Sequence, residues 1–553
     1  FQKVSAKSVP IEHHHLGAWV IIVPVVGGLI IGLMARYGSD KIRGHGIPEA
    51  LEAILLGRSR LQPKVAVLKP ISSAVSIGTG GPFGAEGPII MTGGAFGSLF
   101  AQLFHLTAAE RKVLLVAGAA AGMAAVFAAP VAGVLFAVEL LLFEWKPRSF
   151  IPVAVACITA SVLRVPLIGE GPIFPIKPHA PPTVNVLLAA LFVGLAGGFG
   201  SAALTKIVYF FEDAFARLPI HWMWWPAIGA VFIGFGGWID PRVLGVGYDY
   251  IDQFLKGDLV GTSALMLLVD KALVWAIALG SGTSGGVLAP LLIMGGGIGA
   301  ILATIFHAEV GLWAAFGMAA MMGGTMRAPL TATVFALELT YDFHLFSPLL
   351  TASVAAMGVT VLLMKRSILT EKLARRGQHI TREYSIDTFE LMRVSEVMDH
   401  QPPTVPSTLT LHDLASRIAK GDPELGGRQG TLILDPEKRL LGILTRGDLV
   451  RALQNDPAGN ASVADIASKN LILAYPDESV QRALDKMLKH NIGRLPVVQR
   501  EDPARVIGYI GRASILAARH KVLAEETVRE EGWLSRFGSR QPPPAIKSPQ
   551  TIP

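Results

Sequence analysis

An all-α, multi-spanning membrane protein joined to a smaller α/β tandem is the architecture this sequence predicts. Three observations predict it: long apolar stretches with few charges, an internal duplication of those stretches, and an abrupt change after residue 364 into a second, shorter repeat with strand-like runs.

The composition points the same way. Of 553 residues, 51% are apolar and only 16% charged, and glycine occurs 59 times. Soluble domains carry about 25% charged residues. Dilute charge with abundant glycine suits helices packed closely inside a bilayer. Residues 16–35 hold no charge, and about 20 apolar residues cross a hydrocarbon core as a helix. Further apolar stretches lie near 86–104, 112–142, 150–169, 185–210, 222–238, 262–280, 287–306, 312–339 and 346–364. Several are short or interrupted by Gly and Pro, and broken helices at membrane depth are tolerated where they line a transport site. The chain starts at Phe1 with an apolar stretch close behind, which suggests that the natural N-terminus, with one more helix, lies upstream.

The apolar region repeats. GTGGPFGAEGPIIMTGGAFG (78–97) matches GSGTSGGVLAPLLIMGGGIG (280–299) at an offset of 202, and APVAGVLFAVEL (129–140) matches APLTATVFALEL (328–339) at an offset of 199. GHGIPE (44–49) falls on GVGYDY (245–250) at an offset of 201. Three blocks in one order predict duplicated halves with a substrate site between them.

Beyond residue 364, Lys365, Arg366, Lys372, Arg375 and Arg376 cluster directly after the last apolar stretch. The positive-inside rule then puts the C-terminal side in the cytoplasm. The runs 431–434 and 440–444 read as strands followed by a helix, and 494–498 and 506–510 repeat the pattern. Pro406 corresponds to Pro476 and Gly442 to Gly508. These features divide the chain into a membrane pathway (1–373), a linker with a first small domain (374–456), a second small domain (457–520) and a polar, Pro-rich tail (521–553) expected to be disordered.

Other classes find little support. The single cysteine, Cys157, lies in an apolar run and suggests neither a disulfide framework nor a zinc site. The net charge of +7 comes without a basic stripe interleaved with aromatics, so nucleic acid is not expected. His13, His14 and His15 have no acidic or Cys partners nearby and read as an interfacial polar cap rather than a metal tract. No nucleophile–base set and no phosphate loop suggests an enzyme.

An anion inside a membrane needs positive potential without many buried full charges. Helix N-termini supply it through unpaired N–H groups and the helix dipole. Gly permits close backbone approach, and Pro suits a helix start. Three segments have this composition: GHGIP (44–48), GAEGP (84–88) and GGVLAP (285–290). Together they resemble the CLC family of chloride channels and proton-coupled chloride transporters, whose motifs are GSGIP, GREGP and GxFxP. The resemblance covers roughly residues 10–377. The C-terminal repeat resembles a pair of cystathionine-β-synthase-type (CBS) domains. The resemblance implies a homodimer with one pathway per subunit and a small monovalent anion, chloride foremost, as the cargo.

It also implies roles for individual residues. Glu86 matches the gate, a carboxylate that competes with the anion for its site. The backbone of Gly46, Ile47, Gly87, Val287 and Leu288 falls where the family binds the ion. His45 replaces the family's central Ser: it either donates to the anion or is displaced from it. Leu288 replaces a Phe, and Leu369 falls where the family has a pore Tyr and can supply no hydroxyl. Leu140 stands at the internal proton-carrying Glu of the exchangers and carries no proton. Glu139 and Glu338 are repeat-related, which favours a shared packing or interface role, while Glu144 is a lesser candidate for proton uptake. In the first CBS copy, Thr445 and Asp448 match a ribose-contacting pair. Gly511 and Ser514 replace them in the second, so either one adenine-nucleotide site or a purely structural module follows. Loss of the Leu140-position carboxylate and of the pore Tyr favours a gated anion channel, with a proton-coupled antiporter as the alternative. A membrane-anchored nucleotide or ion sensor is the reading from another class. No cofactor is required.

Overall fold

The computed structural model describes residues 17–527 apart from 56–58, 170, 172, 178, 180, 376–388, 390–391 and 426–427. His13–His15, most of the linker and the tail beyond Thr527 lie outside the described residues. The chain forms two compact units, one built on residues up to Gln378 and the other on Ile386–Val528.

The first unit is helical: α1 (Ile22–Tyr37), α2 (Ile47–Leu55), α3 (Pro63–Gly78), α4 (Glu86–Leu103), α5 (Ala108–Phe127), α6 (Pro130–Phe136), α7 (Pro147–Ile168) and α8 (Val184–Ala216) form its first half. Then come α9 (Trp225–Ile239), α10 (Tyr248–Lys256), α11 (Gly261–Gly280), α12 (Leu288–Ile305), α13 (Val310–Met326), α14 (Pro329–Thr340), α15 (Phe346–Leu363) and α16 (Ile368–Arg375). Among the described residues, seven helical stretches are long and apolar enough to span a bilayer. On α7, Ile151, Val155, Ile158 and Val162 recur at helical spacing and are all exposed, an apolar stripe suited to lipid or to another subunit.

Two apolar stretches that read as continuous are broken. The 112–142 stretch divides at Ala128 (φ 52°) and the 312–339 stretch at Arg327 (φ 56°), both in left-handed backbone. Each break precedes an Ala-Pro pair, and the proline opens the next helix. Proline has no N–H to extend the preceding ladder but fits a helix start. Ala128 and Arg327 are repeat-equivalent, so the duplication extends to backbone conformation. Small residues let helices cross closely in the same equivalent way. A Cβ on Gly93 would lie 2.3 Å from the Gly118 carbonyl oxygen, and one on Gly295 would lie 2.3 Å from that of Gly317.

In the second unit, β1 (Thr404–Pro406) pairs parallel with β2 (Gly430–Leu434), which pairs antiparallel with β3 (Leu440–Thr445). The helices α17 (Leu411–Ala419) and α18 (Arg446–Asn455) pack with them over a core of Val405, Leu414, Ile433, Leu444 and Leu449. The second copy has α20 (Val480–Lys489), after the short α19 (Val463–Ile466), and an antiparallel pair, β4 (Arg494–Val498) and β5 (Val506–Gly511). Asp399 bridges to Tyr509 in β5, so the segment before β1 joins the second copy. The expected strands and helices are present. The final helix, α21 (Arg512–Thr527), runs past residue 520, so the first residues assigned to a disordered tail are helical.

Candidate anion site

Each of the three glycine-rich segments leads into a helix N-terminus: Ile47 opens α2, Glu86 opens α4 and Leu288 opens α12. Gly84 and Gly286, which are repeat-equivalent, exchange two backbone hydrogen bonds (Gly84 N to Gly286 O, 3.2 Å; Gly286 N to Gly84 O, 2.7 Å). An antiparallel pair of equivalent residues has a local two-fold axis between its members. The starts of α4 and α12 therefore meet across a pseudo-two-fold. The third segment crosses the same place: a Cβ on Gly87 would lie 1.8 Å from the His45 carbonyl oxygen and 3.3 Å from the Gly286 Cα.

The Glu86 side chain folds back into this junction and is 1% exposed. A Cβ on Gly84 would lie 1.8 Å from Glu86 Oε2, and one on Gly286 would lie 2.5 Å from it. The carboxylate thus fills space that exists only because both residues lack side chains. Oε1 accepts a hydrogen bond from the Tyr248 hydroxyl at 3.0 Å, whereas Oε2 is buried without a hydrogen-bond partner among the described residues. A negative group there meets two helix N-termini, the arrangement that favours anions. Val287 and Leu288, the N-cap and first residue of α12, are both fully buried beside it.

The segment at 44–48 departs from expectation at Gly46. Its amide donates to Glu49 Oε2 at 3.1 Å, because Glu49 is held under the start of α2 by Lys372 at 2.8 Å. That amide is therefore engaged within the protein. Ile47 is fully buried as the first residue of α2. His45 is 4% exposed, and its Nδ1 is buried without a hydrogen-bond partner among the described residues.

Two buried lysines brace the junction. Lys69 donates to the carbonyls of Ile42 (2.8 Å) and Gly44 (2.7 Å) and to Ser284 Oγ (3.1 Å). Its repeat counterpart Lys271 donates to the carbonyls of Val243 (2.9 Å) and Gly245 (2.8 Å). Each ammonium satisfies carbonyls just before a short helix, α2 or α10, where buried carbonyls need partners; that of Gly44 also accepts from the Gly285 amide at 3.4 Å.

Leu140 and Leu369 lie elsewhere in the unit. Both line a small pocket with Leu51, Glu139, Arg327 and Ser367. Neither leucine offers a polar atom, so the titratable groups of this cavity are Glu139 and Arg327. Glu139 accepts from the amides of Leu330 (3.3 Å) and Thr331 (2.7 Å) and from the Thr331 hydroxyl (2.6 Å). Glu144 is not among the lining groups; it accepts from Ser149 (2.7 Å) and pairs with Lys146 (3.0 Å). Part of the basic cluster after α15 is likewise spent internally, since Arg366 pairs with Glu371 and Arg375 with Asp213.

In the second unit, Thr445 caps α18. Its hydroxyl and amide donate to Asp448 Oδ2 (2.6 and 2.9 Å), and the Asp448 amide donates back (3.2 Å). The pair is thus a reciprocal capping box. Burial pushes the Asp448 carboxyl up, but the Thr445 hydroxyl and amide and Arg451 outweigh it and hold the carboxyl below the usual aspartate range.

Tyr248 and Lys69 were not singled out from sequence. Tyr248 was within reach: it is the repeat counterpart of Ile47 in GVGYDY. Lys69, the one charge between Val65 and Gly78, carried a weaker signal.

The profile of the family described as voltage gated chloride channel matches residues 27–361, and that of the CBS domain matches 394–455 and 463–521. The "Putative chloride channel protein ClcB-like" of Ralstonia nicotianae is 28% identical over 366 residues, covering 64% of this chain and 85% of that protein. The "H(+)/Cl(-) exchange transporter ClcA" of Salmonella paratyphi B is 29% identical over 371 residues, covering 64% of this chain and 78% of that one. A slow cyanobacterial Cl−/H+ antiporter of known structure shares the fold, with a TM-score of 0.60 and 24% identity over 65% of this chain and 86% of its own.

Proposed function

The chain belongs to the voltage gated chloride channel family, and from that premise we propose that this integral membrane protein carries chloride or another small monovalent anion across the bilayer in exchange for protons. The observation that carries the reading is the Glu86 carboxylate at the junction of the α4 and α12 N-termini. There it occupies a place built for an anion, and an anion arriving must displace it. Displacement is easier when the carboxylate takes up a proton, because a neutral group gives up the helix-terminal attraction. One residue thereby couples proton uptake to anion passage. The name of the Salmonella relative supports exchange.

Passive gated permeation is the second reading. It is favoured by the apolar pair Leu140 and Leu369 in the inner cavity and by the name of the Ralstonia relative. Exchange then requires another inner proton carrier, and Glu139 is the carboxylate in that cavity. His45 Nδ1 is the side-chain donor available from the 44–48 segment. The protein acts as a homodimer with one pathway per subunit. The CBS pair faces the cytoplasm and regulates transport, with an adenine nucleotide as its ligand; Thr445 and Asp448 would bind ribose only by sharing or opening their mutual cap.

The test is anion flux in liposomes holding purified protein, with reversal potential read under a pH gradient. Exchange predicts that the gradient moves the reversal potential and that Glu86→Gln abolishes the movement while leaving anion flux. A wild-type potential indifferent to pH defeats exchange in favour of the channel.

A further inference from the structure

We propose that Tyr248 is a direct anion ligand: its hydroxyl donates to Glu86 when the carboxylate occupies the junction and to the transported anion when the carboxylate has left. The proposal rests on the preceding functional reading and names a side-chain donor at that site.

The geometry begins with the bond itself, 3.0 Å from the phenol oxygen to Glu86 Oε1. A phenol facing an ionised carboxylate can only donate. An anion that takes the carboxylate's place therefore inherits the same donor, aimed at the same point. The ring is held to that aim. It meets Phe127 edge-on (6.5 Å between centroids, 90°) and Phe174 at a tilt (5.9 Å, 49°). Phe174 is itself anchored through its amide to the Leu339 carbonyl at 3.1 Å. Rigid aromatic packing on two sides means that the hydroxyl needs no rearrangement when its acceptor changes.

The duplication gives the residue its position. Tyr248 is the first residue of α10, after Gly247 in left-handed backbone (φ 79°), and its counterpart in the first half is Ile47. One half thus presents an apolar side chain at the helix start and the other a hydroxyl. This matters because neither of the family's two hydroxyl positions holds a hydroxyl in this chain. His45 and Leu369 stand where the family has a Ser and a Tyr, and Leu369 lies in the inner cavity with no polar atom. Tyr248 restores a hydroxyl donor from a different helix, at the point where the carboxylate and the anion compete.

A purely structural alternative is that Tyr248 only satisfies the buried carboxylate. The two roles separate once the carboxylate is gone. Chloride binding to the purified full chain would be measured by titration calorimetry for Glu86→Ala and for Glu86→Ala with Tyr248→Phe. A ligand role predicts chloride binding weakened about tenfold or more in the double variant, the worth of one hydrogen bond to a charged group. Equal affinities overturn the proposal and leave Tyr248 as a clamp on the gate. Failure of Glu86→Ala to bind any of chloride, bromide, nitrate or fluoride overturns the functional reading, and this inference with it. Phe keeps the ring between Phe127 and Phe174, and a second measurement does not depend on that variant. In Glu86→Ala crystals soaked with bromide, the anomalous peak at the junction should lie within hydrogen-bond distance of the Tyr248 hydroxyl, and a peak beyond its reach overturns the proposal.

Discussion

Glu139 and Glu338 stand in equivalent positions of the two halves, and each caps the helix that begins the other's segment. Glu139 accepts from the amides of Leu330 and Thr331 at the start of α14. Glu338 accepts from those of Val131 (3.0 Å) and Ala132 (2.7 Å) at the start of α6. The carboxylates are exchanged across the same pseudo-two-fold that relates Gly84 to Gly286. Their role is to hold two short helices together through their positive ends.

Replacing either cap with Ala should therefore destabilise the protein by about 1–2 kcal/mol. The loss should be larger for Glu139→Ala, which also forfeits the Thr331 hydroxyl bond. Thermal unfolding in detergent checks both. Equal, negligible losses would remove the capping account.

Gly286→Ala should displace the junction locally and weaken anion binding. The added Cβ would stand 2.5 Å from Glu86 Oε2 and 2.6 Å from the Gly84 carbonyl oxygen, so it invades the junction itself. Flux in liposomes should fall at least about tenfold, because each 1.4 kcal/mol of lost binding is a factor of ten. An elution profile matching the wild type would confirm assembly.

The two buried lysines should separate by function. Lys271→Met strands two carbonyls and should cost stability, about 1–3 kcal/mol, with chloride affinity retained. Lys69→Met strands the Ile42 carbonyl, leaves the Gly44 carbonyl with only the Gly285 amide, and removes a donor beneath the segment that crosses Gly87. It should lower both stability and chloride affinity, measured by unfolding and titration calorimetry on the same samples.

The second unit should lose stability in acid through Asp448. Its carboxyl is held below the usual range, against the effect of burial, by Thr445 and Arg451. The folded state then favours the ionised form. This contribution is present above the unfolded aspartate value of about 3.9 and disappears as pH falls through the lower folded value. Asp448→Asn should flatten that part of the acid limb in a thermal scan of the second-unit transition. Thr445→Ala should weaken the cap at neutral pH.

Much of this molecule was legible in one sequence. Apolar length marked the spans, and the offsets of about 200 marked the duplication. The glycine-rich segments pointed to helix starts because their chemistry is local: a proline at a first turn and a glycine at a close approach need only neighbouring residues to make sense. Glu86 stood out for the same reason, as a carboxylate in an apolar setting. The strands of the second unit followed from alternation and turn residues, which are local as well.

Tertiary structure decided what depends on residues far apart in the chain. Tyr248 lies 162 residues from Glu86, and no local pattern says that its hydroxyl reaches the carboxylate. Whether the Gly46 amide is open to an anion turned on Lys372, from the far end of the first unit, holding Glu49 beneath it. The breaks at Ala128 and Arg327 required choosing between a long apolar helix and two short ones, a choice settled by packing against the opposite half. Composition and spacing determined that the spans were duplicated helices, and the three glycine-rich motifs supplied the resemblance to an anion-transport family. The list of groups that face Glu86 came only from the fold, because a hydrogen bond depends on distance in space and the sequence records distance along the chain.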